Sequence, residues 1–179
     1  MQYQRSILPG GIFFFTVVTH QRFPYFRDES AVELLEEAIR YVQERHPFTI
    51  LAFVFLPDHL HMIWELPEDD CDYPTRWRLI KSYVSRKFPN RPLVTNQSRL
   101  SKGEQGIWQR RYWEHTCRDQ QDLNHHLDYI HYNPVKHGYV NAPNLWNHSS
   151  FLNFVSEGLY PLDWALDIPI NLNRELEGE

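Results

Sequence analysis

Along the chain the spacing of apolar positions switches between strand-like runs and helical recurrence, which lays out an alternation of strands and helices. Ile12 to Thr19 (IFFFTVVT), after Gly10-Gly11, is a short continuous apolar and β-branched run and predicts a first strand buried on both faces. Ser30-Ala-Val-Glu33 has capping-box form. Behind it Ala31, Leu34, Leu35, Ala38 and Val42 recur at helical spacing, with Glu33, Glu36, Glu37, Arg40 and Glu44 turned to water, so a helix is predicted up to His46-Pro47. Phe48 to Leu56 (FTILAFVFL) predicts a second strand, Pro57-Asp58 a turn, and His59 to Leu66 a third strand, together an antiparallel hairpin. From Thr75 to Phe88 the residues Trp77, Ile80, Val84 and Phe88 mark the apolar stripe of a second helix. Residues 89–106, with Pro89, Pro92, Gly103 and Gly106, read as a long loop, and Tyr112 to Arg118 as a fourth strand. Asp119 is placed to cap a third helix with Leu123, Leu127 and Ile130 as its buried stripe, ending around Asn133-Pro134 and Gly138.

The resulting order predicts an α+β fold, a ferredoxin-like βαββαβ sandwich with an antiparallel sheet and an added C-terminal helix. One domain is expected over residues 1–165, with 166–179 a flexible tail. After Val140 the aromatics and prolines follow no sustained period, which predicts irregular structure packed over the domain.

With 42% apolar residues and 15% aromatics, the chain has enough material for a core without disulfide staples. Cys71 and Cys117 stand far apart in no metal-binding spacing, which points to a reducing cytoplasm. No stretch approaches the ~18 uninterrupted apolar residues of a membrane span, and the first ten residues lack a signal-peptide core.

The net charge of −5 argues against a nucleic-acid partner until its distribution is read. From Arg76 to Arg118 there are eleven Lys/Arg against two acids, and the remainder carries seven against twenty-one. Such segregation allows an electropositive DNA-binding face on an otherwise acidic protein. Arg76, Arg78, Lys81, Arg86, Lys87, Arg110 and Arg111 are its candidate contacts, near Trp77, Tyr112 and Trp113, which offer rings for stacking on unpaired bases or for core packing.

Two local patterns carry chemistry. In His59-Leu60-His61 the period of two puts both imidazoles on one face of the third strand, an arrangement that can grip one metal ion. A bare His-x-His is more often an ordinary pair of strand histidines. In the third helix Tyr129 and Asn133 stand at i and i+4 and share a face, where a phenol and an amide oxygen can meet the same ion. Each alone also has a structural explanation.

Together, Leu56-Pro57-Asp58-His59-Leu60-His61-Met62-Ile63-Trp64, Trp108-Gln-Arg-Arg111-Tyr-Trp113-Glu114-His115 and Tyr129-Ile-His-Tyr-Asn133-Pro134-Val-Lys136-His137-Gly138 resemble the REP-associated tyrosine transposases, relatives of the single-tyrosine HUH transposases of small insertion sequences. The resemblance runs from about Gly11 to Val140, with Leu159 to Trp164 as a possible extension. It implies a DNA-nicking and strand-transferring enzyme in which Tyr129 is the nucleophile, His59 and His61 the metal pair and Asn133 the third ligand, where insertion-sequence enzymes usually carry Gln. Tyr132, about 60° around the helix, is the rival nucleophile. The implied ion is Mg²⁺ or Mn²⁺, with no organic cofactor, and the implied product a 5′-phosphotyrosine. The implied partner is single-stranded DNA with a palindromic hairpin, bound by a monomer in preference to a homodimer. His125, His126, Lys136 and His137 are candidates to help the phenol lose its proton or to contact phosphate, Lys136 being counted among the DNA contacts. The rival readings are a catalytically silent DNA-binding protein of the same fold and a metal-dependent phosphohydrolase.

Overall fold

The structure is a computed structural model that describes residues 9–89, 97–101 and 106–165. Arg91 and Lys102 of the basic segment, most of the 89–106 loop and the 166–179 tail lie outside the described residues. Strands β1 (Ile12–Val18), β2 (Thr49–Phe55), β3 (His59–Glu65) and β4 (Trp113–Thr116) form one sheet in the order β2-β3-β1-β4. All three pairings are antiparallel. Helices α1 (Glu29–Gln43) and α2 (Tyr73–Lys87) complete the βαββαβ order, compatible with the ferredoxin-like sandwich expected. Beyond them lie a short α3 (Gln97–Leu100), the long α4 (Gln120–Lys136) and a six-residue α5 (Phe151–Ser156).

Strand alternation divides the sheet into two apolar layers. Phe13, Phe15, Leu60, Met62 and Trp64 face α1 and α2, with Trp64 stacked on Trp77 at 4.3 Å between ring centroids. Phe14, Ala52, Val54 and Ile63 face the other way and meet Tyr129 and Ile130 of α4. Helix α4 therefore covers the sheet face left bare by the βαββαβ unit.

Two expectations change. Ser30 lies inside α1, whose N-cap is Asp28 without a side-chain cap bond, so the helix begins two residues earlier than the capping-box pattern suggests. The stretch after Val140 is more regular than expected. It contains a 3₁₀ turn (Pro143–Leu145) and α5, and residues 148–150 run along the outer edge of β2 through Phe55 N to His148 O (2.9 Å) and Ser150 N to Phe53 O (3.0 Å). That pairing covers an edge strand that would otherwise present open backbone donors and acceptors.

Candidate active site

His59 and His61 point to the α4 side of β3, both buried, with ring centroids 5.1 Å apart. β3 is an interior strand, so the pair is held between neighbours: Val18 pairs with His59, Thr16 and Val54 with His61. Helix α4 starts where expected, Asp119 accepting from Asp122 N at 2.8 Å, and runs through Pro134 to Lys136 before Gly138 (φ +71°) ends it in the left-handed region that glycine adopts without strain. His126, Tyr129, Ile130 and Asn133, at i, i+3, i+4 and i+7, form its buried stripe. This stripe brings the Tyr129 ring to 5.1 Å from the His61 ring, within one chain. Tyr132 lies outside the stripe.

Each imidazole is fixed through Nδ1. Asp58 Oδ1 lies 2.7 Å from His59 Nδ1, and an ionised carboxylate can only accept, so that nitrogen carries a proton. Thr16 Oγ1 engages His61 Nδ1 at 2.9 Å. The Nε2 atom of His59 and both polar side-chain atoms of Asn133 are buried without a hydrogen-bond partner among the described residues, an expensive arrangement unless something binds there. Burial, reinforced by His59, His137, Lys136 and Arg22, pushes His61 well below the ordinary imidazole pKa and keeps it neutral. Burial works to raise Asp58, but the hydrogen bonds and charges of His59 and Arg22 prevail and hold it below the usual carboxylate value.

Of the groups proposed to assist the phenol, Lys136 Nζ lies 3.4 Å from Tyr129 Oη and His137 packs its ring against His59 at 4.9 Å. His126 is buried with Nδ1 2.8 Å from Asp122 O, and His125 is exposed.

The basic segment does not form one face with this site. Arg76 corrects the expectation: it is 2% exposed and donates to His46 O (3.1 Å), Asp72 O (2.9 Å), Pro47 O (2.7 Å) and Asp70 Oδ2 (2.6 Å), so its guanidinium braces the chain entering β2 and is closed to phosphate. Arg78 and Arg86 are exposed on α2, the layer opposite α4. Lys87, also exposed there, is paired with Glu37 at 2.8 Å, and Lys81 Nζ donates to Gln109 O at 2.6 Å. Trp77 is wholly core, and Trp113, partly buried, meets Phe14 edge-on at 5.6 Å. Arg110 and Arg111 are exposed, and Arg110 also donates to Ser98 O and Oγ. They follow Gln109, whose N bonds Val18 O (3.0 Å), and Val18 is the partner of His59, so this basic pair sits toward the histidine end of the sheet.

Several residues of the site were not picked out in the sequence. Thr16 was readable only as an apolar-strand threonine, and its role needs the β1–β3 register. Arg22 reaches Asp58 Oδ2 at 3.2 Å from a turn in which Gln21 (φ 55°) and Arg22 (φ 51°) both adopt the left-handed region, a cost that clusters at functional sites. His115, Asp122 and His126 form a separate cluster across β4 and α4, of which only the i, i+4 spacing of the last two was visible in advance.

The residues 12–133 match the family model described as "Transposase IS200 like". A REP-associated tyrosine transposase of Escherichia coli (strain K12) is 41% identical over 167 residues, 93% of this chain and 92% of that protein. A Haemophilus influenzae protein named for the same group is 42% identical over 163 residues, covering 91% and 92% of the two chains. A solved structure, described as a REP-associated tyrosine transposase bound to a REP hairpin, superposes with a TM-score of 0.77 at 40% identity, covering 92% of this chain and 91% of that one. The chain belongs to the IS200-like transposase family, in its REP-associated tyrosine transposase branch.

Proposed function

We propose that this protein is a metal-dependent, single-tyrosine endonuclease that binds single-stranded DNA carrying a REP-type palindromic hairpin, nicks it and rejoins strands. The observation that carries the reading is the approach, in one chain, of the Tyr129 ring to His61 (5.1 Å), together with a His59 Nε2 and an Asn133 amide that are buried without partners. The hairpin comes from the described structure of the 40% identical relative.

The donor set of two imidazole nitrogens and one amide oxygen suits Mn²⁺ and, less closely, Mg²⁺. His59, His61 and Asn133 would hold the ion, which when bound draws charge from the phosphate oxygens and leaves positions open for them. Asp58 and Thr16 orient the two imidazoles. Tyr129 Oη attacks phosphorus: the Oη–P bond forms, the P–O3′ bond breaks, the phenol proton departs and the 3′ oxygen takes one up. The 5′-phosphotyrosine keeps the energy of the phosphodiester, so a second 3′-hydroxyl reverses the step without ATP. Lys136, 3.4 Å from Oη, sets a positive charge beside the oxygen that turns anionic. Arg110 and Arg111 serve the DNA backbone, and the complete set within one chain fits a monomer acting on DNA in the cytoplasm.

Incubation with Mn²⁺ and a hairpin oligonucleotide is expected to give a denaturation-resistant protein–DNA adduct that Tyr129→Phe abolishes. Binding without cleavage would identify a silent DNA-binding protein, and cleavage without an adduct a phosphohydrolase; either overturns the proposal.

A further inference from the structure

On the far side of Phe14 from the histidine pair lies a second group of ligating side chains that the nicking chemistry does not use. The Phe14 ring is 5.4 Å from His61 and 4.6 Å from His126, so it separates the two groups. Among the described residues, His115, Asp122 and His126 are the His/Cys/Asp/Glu trio whose ligand atoms lie within 4.8 Å of one another. His115 Nε2 stands 2.9 Å from Asp122 Oδ2 and 3.1 Å from Oδ1, and His126 Nδ1 is 3.3 Å from Oδ1. The two imidazoles stack at 4.6 Å with 19° between planes, both addressing one carboxylate.

Donors held at roughly 2.1 Å around a tetrahedral ion stand about 3.4 Å apart, so these separations need only small adjustment to enclose one. The hydrogen-bond count leaves room for it. His126 Nδ1 faces both Asp122 O (2.8 Å) and Oδ1, and a single N–H serves only one of them well. The His126 ring is 1% exposed, and its Nε2, which has no hydrogen-bond partner, is the atom that would carry the ring proton once Nδ1 binds the ion. Burial lowers the His126 pKa, favouring the neutral form that binds metals. Asp122 stays ionised: burial would raise it, but Arg118 N, His115 and the Arg118 side chain hold it far below the usual value. The Arg118 side chain, 77% exposed, can swing into solvent when a cation arrives, and partly exposed His115 leaves room for water to complete the shell.

We propose that His115, Asp122 and His126 form a second cation site, selective for an imidazole-preferring transition ion of the Zn²⁺ or Co²⁺ class over Mg²⁺, which ties β4 to the first two turns of the helix that carries Tyr129. Two nitrogens and one carboxylate are a donor set of that class, whereas Mg²⁺ favours oxygen ligands and retained water. The site is independent of the reading of His59 and His61.

The test titrates Co²⁺ into full-length protein carrying His59→Ala and His61→Ala, following its visible absorption. One equivalent is expected, displaced by Zn²⁺ and untouched by equimolar Mg²⁺. Adding His115→Ala, a partly exposed position whose folding is checked by circular dichroism without metal, should abolish the uptake, as should Asp122→Asn. No Co²⁺ uptake by the double variant, or uptake indifferent to His115→Ala and Asp122→Asn, overturns the proposal and leaves the trio a hydrogen-bonded clamp. The outcome is separable from the nicking proposal: wild-type protein binding one equivalent more than the double variant reports on His59 and His61 alone.

Discussion

Arg76→Ala removes a guanidinium that donates to three backbone carbonyls and one carboxylate from a position 2% exposed. A hydrogen bond to a charged group contributes about 1.5–3 kcal/mol, but the four are not additive: the Asp70 side chain is 31% exposed and recovers water. His46 is partly buried and Pro47 exposed, so their carbonyls also regain some water. The expected loss is about 3 kcal/mol, the upper end of the cost of leaving buried acceptors unpaired, and a large part of a typical domain's ~5–15 kcal/mol. Urea unfolding should show the midpoint falling with the m-value unchanged, while hairpin affinity, measured in the cold where the variant is folded, stays at the wild-type level. Arg111→Ala is the converse control. Stability should move by no more than ~0.5 kcal/mol, and hairpin binding should weaken with a salt slope shallower by about 1 for one lost phosphate contact. Arg76→Ala within ~1 kcal/mol of wild type, or weakening hairpin binding as Arg111→Ala does, would refute the inward assignment.

Asp58→Ala should lower Mn²⁺ affinity about 10–100-fold by calorimetry, as loss of an outer partner of a ligating histidine does. Asp58→Asn should lose less, because its amide oxygen still accepts from His59 Nδ1, and equal affinity in wild type and Asp58→Ala would contradict the ligand role. His131, enclosed by Phe151, Phe154 and Tyr160, is held by burial at a pKa of about 3, below the ordinary 6.5. The unfolded chain therefore takes up that proton first, and stability is lost as pH falls from about 6.5 towards 3, by up to about 5 kcal/mol at 1.36 kcal/mol per unit. In His131→Phe the urea midpoint should fall less steeply over that window, with His126 and His61 retaining part of the slope; superimposable pH profiles would refute it.

The strand runs and the His-x-His alternation were legible because a period of two needs no partner to be read. Which layer each face meets was not. The stripe of α2 places Arg76 beside Trp77 and three positions after Tyr73, on the buried side, yet charge alone assigned it to DNA; only the carbonyls of His46 and Pro47, some thirty residues away, explain its burial. The start of α4 at Asp119 could be read because a cap acts within one turn. At α1 the same local logic at Ser30 was overridden by tertiary packing of Ala31 and Val32. The grouping of His115 with Asp122 and His126 depends on how β4 turns into α4, a geometry no spacing rule specifies.

Folding alone assembles the Tyr129–His61 encounter, since both groups ride on a single polypeptide. A substitution at either residue therefore acts on the encounter within its own chain.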